Sequence, residues 1–147
     1  MWSSNHDKGE LPMRIFLCTV IAVLCAMAVP VYAEQSIDGK KPLICATVEA
    51  TNCERGEQCE KGLAEDIGAP QFMRVDFSKK EVIGPKRTTP IRLTEMDDAQ
   101  ITLQGFEVGM GWTIAIVRST GNMSVTLVGV DRAIVLFGSC TPYPWGE

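Results

Sequence analysis

Between Ile101 and Cys140 apolar and polar residues alternate in runs separated by short turns. Ile101 and Leu103 alternate with Thr102 and Gln104. Trp112, Ile114 and Ile116 alternate with Thr113 and Ala115, and Met123, Val125 and Leu127 with Ser124 and Thr126. A period of two sets one series on a dry face of a sheet and the other on a wet face. The run Ala133–Phe137 is apolar at every position, which predicts a strand covered on both sides. Upstream, Gln71–Phe77 sets Met73, Val75 and Phe77 against Phe72, Arg74 and Asp76. Gly84-Pro85 stops the short strand Glu81–Ile83, because proline has no N–H for a ladder.

The strands predicted are Leu43–Ala50, Gln71–Phe77, Glu81–Ile83, Thr89–Thr94, Ile101–Phe106, Trp112–Arg118, Met123–Val128 and Ala133–Gly138. The short connections favour an all-β fold, a small antiparallel up-and-down β-barrel of about eight strands. A two-sheet β-sandwich is the alternative. Residues Glu60–Ile67 have room for one helical turn. Met73, Phe77, Trp112, Ile114, Met123 and Phe137 are available to face inward and fill the barrel.

The punctuation between strands is turn chemistry. Ser119-Thr120-Gly121-Asn122 reads as a hairpin connection with Gly121 at positive φ. Gly105, Gly109 and Gly111 lack the G-x-G-x-x-G order, and a strand rather than a helix follows; they suit a bend and a tight reversal. Asp97-Asp98 can be read as a pair of catalytic carboxylates, but adjacent acids in a turn serve more often as turn formers. Trp112 reads as a core residue, with ligand stacking as its functional alternative.

The start of the chain changes the setting. Met13-Arg14 precedes the apolar run Ile15–Val29, and Val31-Tyr32-Ala33 places small residues at −1 and −3. This is the layout of a secretory signal peptide, residues 13–33, cut after Ala33. The run is shorter than the roughly 20 residues needed to span a bilayer, so no stable membrane anchor is expected after cleavage. Cys18 and Cys25 each follow Leu rather than a small residue, which argues against lipidation. Residues 1–33 are thus an N-terminal extension plus signal, and 34–147 form a single secreted domain, periplasmic or extracellular. Signal removal leaves the net charge of −4 unchanged. A weakly acidic domain argues against nucleic acid as a partner.

Four cysteines remain after cleavage: Cys45, Cys53, Cys59 and Cys140. An even number in an exported domain reads as two disulfides, with three possible pairings. The favoured scheme joins Cys53 to Cys59 across a short polar loop and Cys45 to Cys140 across the first and last strands. The spacing is wider than in zinc sites, and the only histidine, His6, lies before the cleavage site, so neither a metal nor a cofactor is expected. Between Glu54 and Asp66 five acids stand against Arg55 and Lys61, without the alternating ligands of a calcium loop. From Arg74 to Arg92 six bases stand against Asp76 and Glu81. Glu57 and Glu60 in the acidic stretch, and Lys86 and Arg87 in the basic one, are the candidate partner-docking residues.

LICATVE at Leu43–Glu49, Cys53 and Cys59, APQFMRVDF at Ala69–Phe77, Leu103-Gln104-Gly105, GWTIAI at Gly111–Ile116 and FGSC at Phe137–Cys140 resemble a family of small exported bacterial proteins of uncharacterised role. The resemblance covers most of residues 34–147. It implies export to the periplasm and brings no activity or catalytic residue with it. The architecture is also loosely similar to the periplasmic inhibitors of C-type lysozyme, which are disulfide-tied eight-stranded barrels.

Three function classes follow. A non-catalytic binding or inhibitory module, acting on another exported or periplasmic protein, fits the export signal, the disulfides and the divided charge best. A small-ligand carrier of lipocalin or avidin type needs a hollow barrel. A carboxylate-based hydrolase needs two facing acids, because residues 34–147 hold no histidine. The domain is therefore expected not to be an enzyme.

Overall fold

The computed structural model describes residues 36–143. The expected signal segment 13–33, Cys18, Cys25, His6 and Trp145 lie outside the described residues. Ten strands follow in chain order: β1 (Leu43–Glu54), β2 (Glu60–Gly62), β3 (Phe72–Asp76), β4 (Glu81–Ile83), β5 (Thr88–Pro90), β6 (Leu93–Met96), β7 (Gln100–Glu107), β8 (Met110–Val117), β9 (Asn122–Val128) and β10 (Arg132–Pro142). Nine of them form one curled antiparallel sheet in the order β5-β4-β3-β1-β10-β9-β8-β7-β6, and β2 adds to β1 beside β3. Apart from the β1–β10 pairing, the neighbours on this path follow one another in sequence, β2 excepted, so the sheet is a meander with its first strand laid against its last.

The edges of this sheet, β5 and β6, are separated in the chain only by Ile91-Arg92. Ile91 N–H donates to Lys80 O at 2.8 Å on one side, and Arg92 N–H donates to Gln104 O at 2.8 Å on the other. The Ile91 bond continues the β4–β5 register one residue past Pro90, and at Arg92 the chain passes over to β7. The expected single strand Thr89–Thr94 is thus two short strands. The architecture is barrel-like and single-sheeted rather than a two-layer sandwich.

One face of every long strand is dry. Leu43, Cys45, Val75, Ile101, Leu103, Ile114, Ile116 and Leu136 are all 0–2% exposed and fill the interior with Met73, Trp112, Met123 and Val125. At the end where β1 begins, Ile37 is buried, and Phe77 packs on the core. At the end where β1 finishes, the connection between β2 and β3 tucks in Ala64, Ile67 and Ala69. There Arg132 donates from Nε to Asn52 Oδ1 (2.6 Å) and from Nη2 to Ile67 O (2.7 Å), which ties that connection to β10.

Several departures from the sequence reading have local causes. β1 continues to Glu54 because a bulge at Val48 shifts its register against β10 between Thr47 and Glu49. Leu43, Cys45 and Thr47 face in before the bulge, and Ala50 faces in after it. Glu60–Gly62 pairs with β1, and residues 64–68 form successive turns instead of a helical turn. The run Ala133–Phe137 is not covered on both faces. Ile134 and Leu136 take the inner positions, so the strand period turns Phe137 outward, 48% exposed. Both expected disulfides are present, Cys45–Cys140 and Cys53–Cys59. The first joins residues directly opposite each other in the β1–β10 ladder.

Candidate docking surface at one end of the barrel

Besides the β2–β3 connection, strand directions bring four more to the end where β1 finishes: residues 55–59 after β1, 84–87 between β4 and β5, 108–109 between β7 and β8, and 129–131 between β9 and β10. Around this end they follow the strand order. Residues 55–59 lie beside 129–131, then come 108–109, then 84–87. Two ion pairs fasten the neighbours. Arg55 pairs with Asp131, and Arg55 N–H also donates to Asp131 O at 2.9 Å. Arg87 Nη1 lies 3.6 Å from Glu107 Oε1. Both pairs are exposed enough for their energetic worth to be small, but they show which loops touch.

The middle of this end is apolar. Register places Phe106 opposite Gly111, Gly111 opposite Val128, and Val128 opposite Ala133, all on the outer face. Phe106 is 61% exposed and Val128 55%, and a Cβ on Gly111 would meet no atom nearer than Val128 O at 4.0 Å. The missing side chain leaves a shallow trough between the two apolar groups. Above them stand the turn residues Val108 and Val130, 76% and 88% exposed. Four large apolar side chains are thus exposed on two adjoining hairpins at this end, a candidate contact surface.

The hairpin tip has a second feature. Val108 and Gly109 have φ of 48° and 78°, the two left-handed positions of a primed two-residue turn closed by Glu107 and Met110. Such a turn matches the twist of the flanking strands and favours Asn-Gly or Asp-Gly. A β-branched residue at positive φ is a conformational outlier and costs energy locally.

The sequence-derived docking residues all map to this end. Glu57 and Glu60 sit on and just after the β1–β2 connection, at one flank of the patch. Lys86 and Arg87 sit on the β4–β5 connection, at the other flank. The four apolar residues between them were not singled out from the sequence, since they come from two strands and two turns and only the register unites them.

Other candidate chemistry resolves into structural roles. Asp97 Oδ1 accepts from Ala99 N–H (2.7 Å) and Gln100 N–H (2.8 Å), making it a turn former. Bonds from the Gln100 and then the Ala99 N–H, with the charge of Arg118 nearby, hold its carboxyl below the usual value. Asp76, bonded by Ser78 Oγ and Lys79 N–H, is lowered in the same way, and Asp38 by the Lys40 and Lys41 N–H groups. A carboxyl depressed in the folded state stabilises fully above its unfolded value of 3.8 and stops doing so as pH falls through the folded value. The melting temperature is expected to be flat with respect to these three groups above pH 4 and to drop below it. Asp97→Asn should flatten part of that drop in an acid titration followed by circular dichroism.

Trp112 is buried, and its Nε1 donates to Thr89 Oγ1 at 3.3 Å. A groove of about 490 Å3 runs outside the barrel at its opposite end, lined by residues such as Ile44, Phe72, Ser139 and Pro142. Among the described residues no group of three or more His, Cys, Asp or Glu side chains is placed to hold a metal, and no helix is long and apolar enough to cross a membrane. No protein-family model, curated protein or solved structure matches the chain.

Proposed function

We propose that this chain is an exported, non-catalytic binding or inhibitory module that docks an exported protein partner through the loop end of its barrel. The observation that carries this reading is Val108. A β-branched residue held at φ 48° and 76% exposed contributes little to the fold, where Asn or Gly would relieve the turn. Its place beside Phe106, Val128 and Val130 gives it a use in contact with a partner. Two disulfides support export, and an interior filled by Ile101, Leu103, Ile114 and Leu136 favours an outer surface over a carrier's cavity.

Val108→Asn separates stability from binding. It should raise the melting temperature by a few degrees, on the order of 0.5–1 kcal/mol, because the turn is relieved. Capture of a partner from an exported-protein fraction should fall about tenfold or more, as for loss of a central apolar anchor. Unchanged capture by Val108→Asn and by Val130→Asn would sink the reading. Purified unaltered protein serves as the reference in both measurements.

A further inference from the structure

The order of charges around the loop end carries a more specific conclusion. Arg55 is paired with Asp131 and Arg87 with Glu107, and the charges left over run acid, apolar, base: Glu57 and Glu60, then Val130 and Val108, then Lys86. A closed two-fold dimer buries the same patch on both copies, so that each position meets its mirror position across the axis. Place the axis in the plane of contact, crossing this arc midway between Val108 and Val130. The apolar centre of one copy then meets the apolar centre of the other. Each acidic flank meets a basic flank, on both sides at once.

We infer that the partner of this surface is a second copy of the same chain, docked loop end to loop end. The inference rests on the reading of that end as a docking surface and names its occupant. Charge complementarity is the ground for choosing the copy over another protein. With the axis in this direction the arc is self-complementary, whereas a surface of one sign would set like charges against each other. Arg55–Asp131 and Arg87–Glu107 hold the neighbouring loops together, so the flanks keep their spacing to the centre.

The test is sedimentation of the purified domain over a dilution series, with two charge-reversed variants. Glu57→Lys with Glu60→Lys makes both flanks basic, and Lys86→Glu with Arg87→Glu makes both acidic. The unaltered chain should form a dimer on concentration. Each variant alone should dimerise about tenfold more weakly or worse, since both flanks then repel. An equimolar mixture of the two should recover association as a mixed dimer, with opposite charges facing at both flanks. Glu57→Gln with Glu60→Gln, which removes charge without reversing it, should give an intermediate loss and replaces the reversal if that variant does not fold.

A monomer at every concentration, or association indifferent to the reversals and to mixing, overturns the inference. If the monomer still captures a different exported protein in a Val108-dependent way, the occupant is wrong while the docking surface stands. If that capture is also insensitive to Val108 and Val130, both readings fall.

Discussion

Replacing Cys45 and Cys140 together by Ala is expected to lower stability by about 4–5 kcal/mol, more than any other change to the covalent framework. The bond closes a separation of 95 residues, and the chain-entropy model makes the denatured-state constraint grow with the logarithm of the loop. Cys53–Cys59 closes a separation of only 6, for which the same model gives about 2 kcal/mol. Location adds to the difference. Cys45 and Cys140 are 0% and 7% exposed and join the core side of β1 and β10, whereas Cys59 is exposed. At roughly 4 °C per kcal/mol the long-loop variant should melt near 20 °C below the unaltered protein, and the Cys53/Cys59 double Ala variant near 10 °C below. Thermal unfolding under non-reducing conditions checks the ranking. Equal losses from the two variants would show that loop length does not set the effect.

Trp112→Ala should cost about 3–5 kcal/mol, the range for removing a buried large aromatic side chain. The indole occupies the space a side chain at Gly105 would need. A Cβ there would overlap the indole Cζ2 and fall 2.8 Å from Pro90 O. Trp112 on β8, Gly105 on β7 and Thr89 on β5 therefore meet at the seam where the chain passes from one edge of the sheet to the other. Removing the indole leaves a cavity, strips Thr89 Oγ1 of its donor and loosens that hand-over. Hydrogen exchange should rise first at Ile91 and Arg92, whose N–H groups bond to Lys80 and Gln104 on the two sides of the seam. Trp112→Phe keeps much of the packing and should lose clearly less. A loss below about 1 kcal/mol for Trp112→Ala would contradict its role as a core residue.

The strands and the inner face were legible in the sequence wherever alternation was clean. Ile101, Leu103, Trp112, Ile114, Ile116, Met123 and Val125 are inside as their spacing predicts. Both disulfides followed from even cysteine number and from strand placement. Alternation failed where the backbone itself changes phase. The bulge at Val48 resets β1, so Ala50 and Thr47 share the inner face despite an odd separation. Phe137 was misplaced because hydrophobicity was read without the period that Ile134 and Leu136 impose. The charged flanks of the proposed docking surface were visible as local clusters of like charge. Its apolar centre was not, because Phe106 and Val128 are separated by 22 positions and become neighbours only through their common pairing with Gly111.

The pairing of β1 with β10 also makes the order of oxidation matter. β1 is among the first strands synthesised and β10 the last, so Cys45 emerges with Cys53 and Cys59 close by in sequence and long before Cys140. Thiols near in sequence meet most readily, because the entropy of closing a loop rises with its length. Either Cys53 or Cys59 could therefore trap Cys45 in a mixed pairing that leaves β10 without its bond. Cys53–Cys59 is the shortest of the available loops, and its early closure takes both competitors out of exchange. Closed first, the small bridge would act as a chemical protecting group: it would hold two thiols oxidised together until the strand carrying Cys140 arrives to meet Cys45.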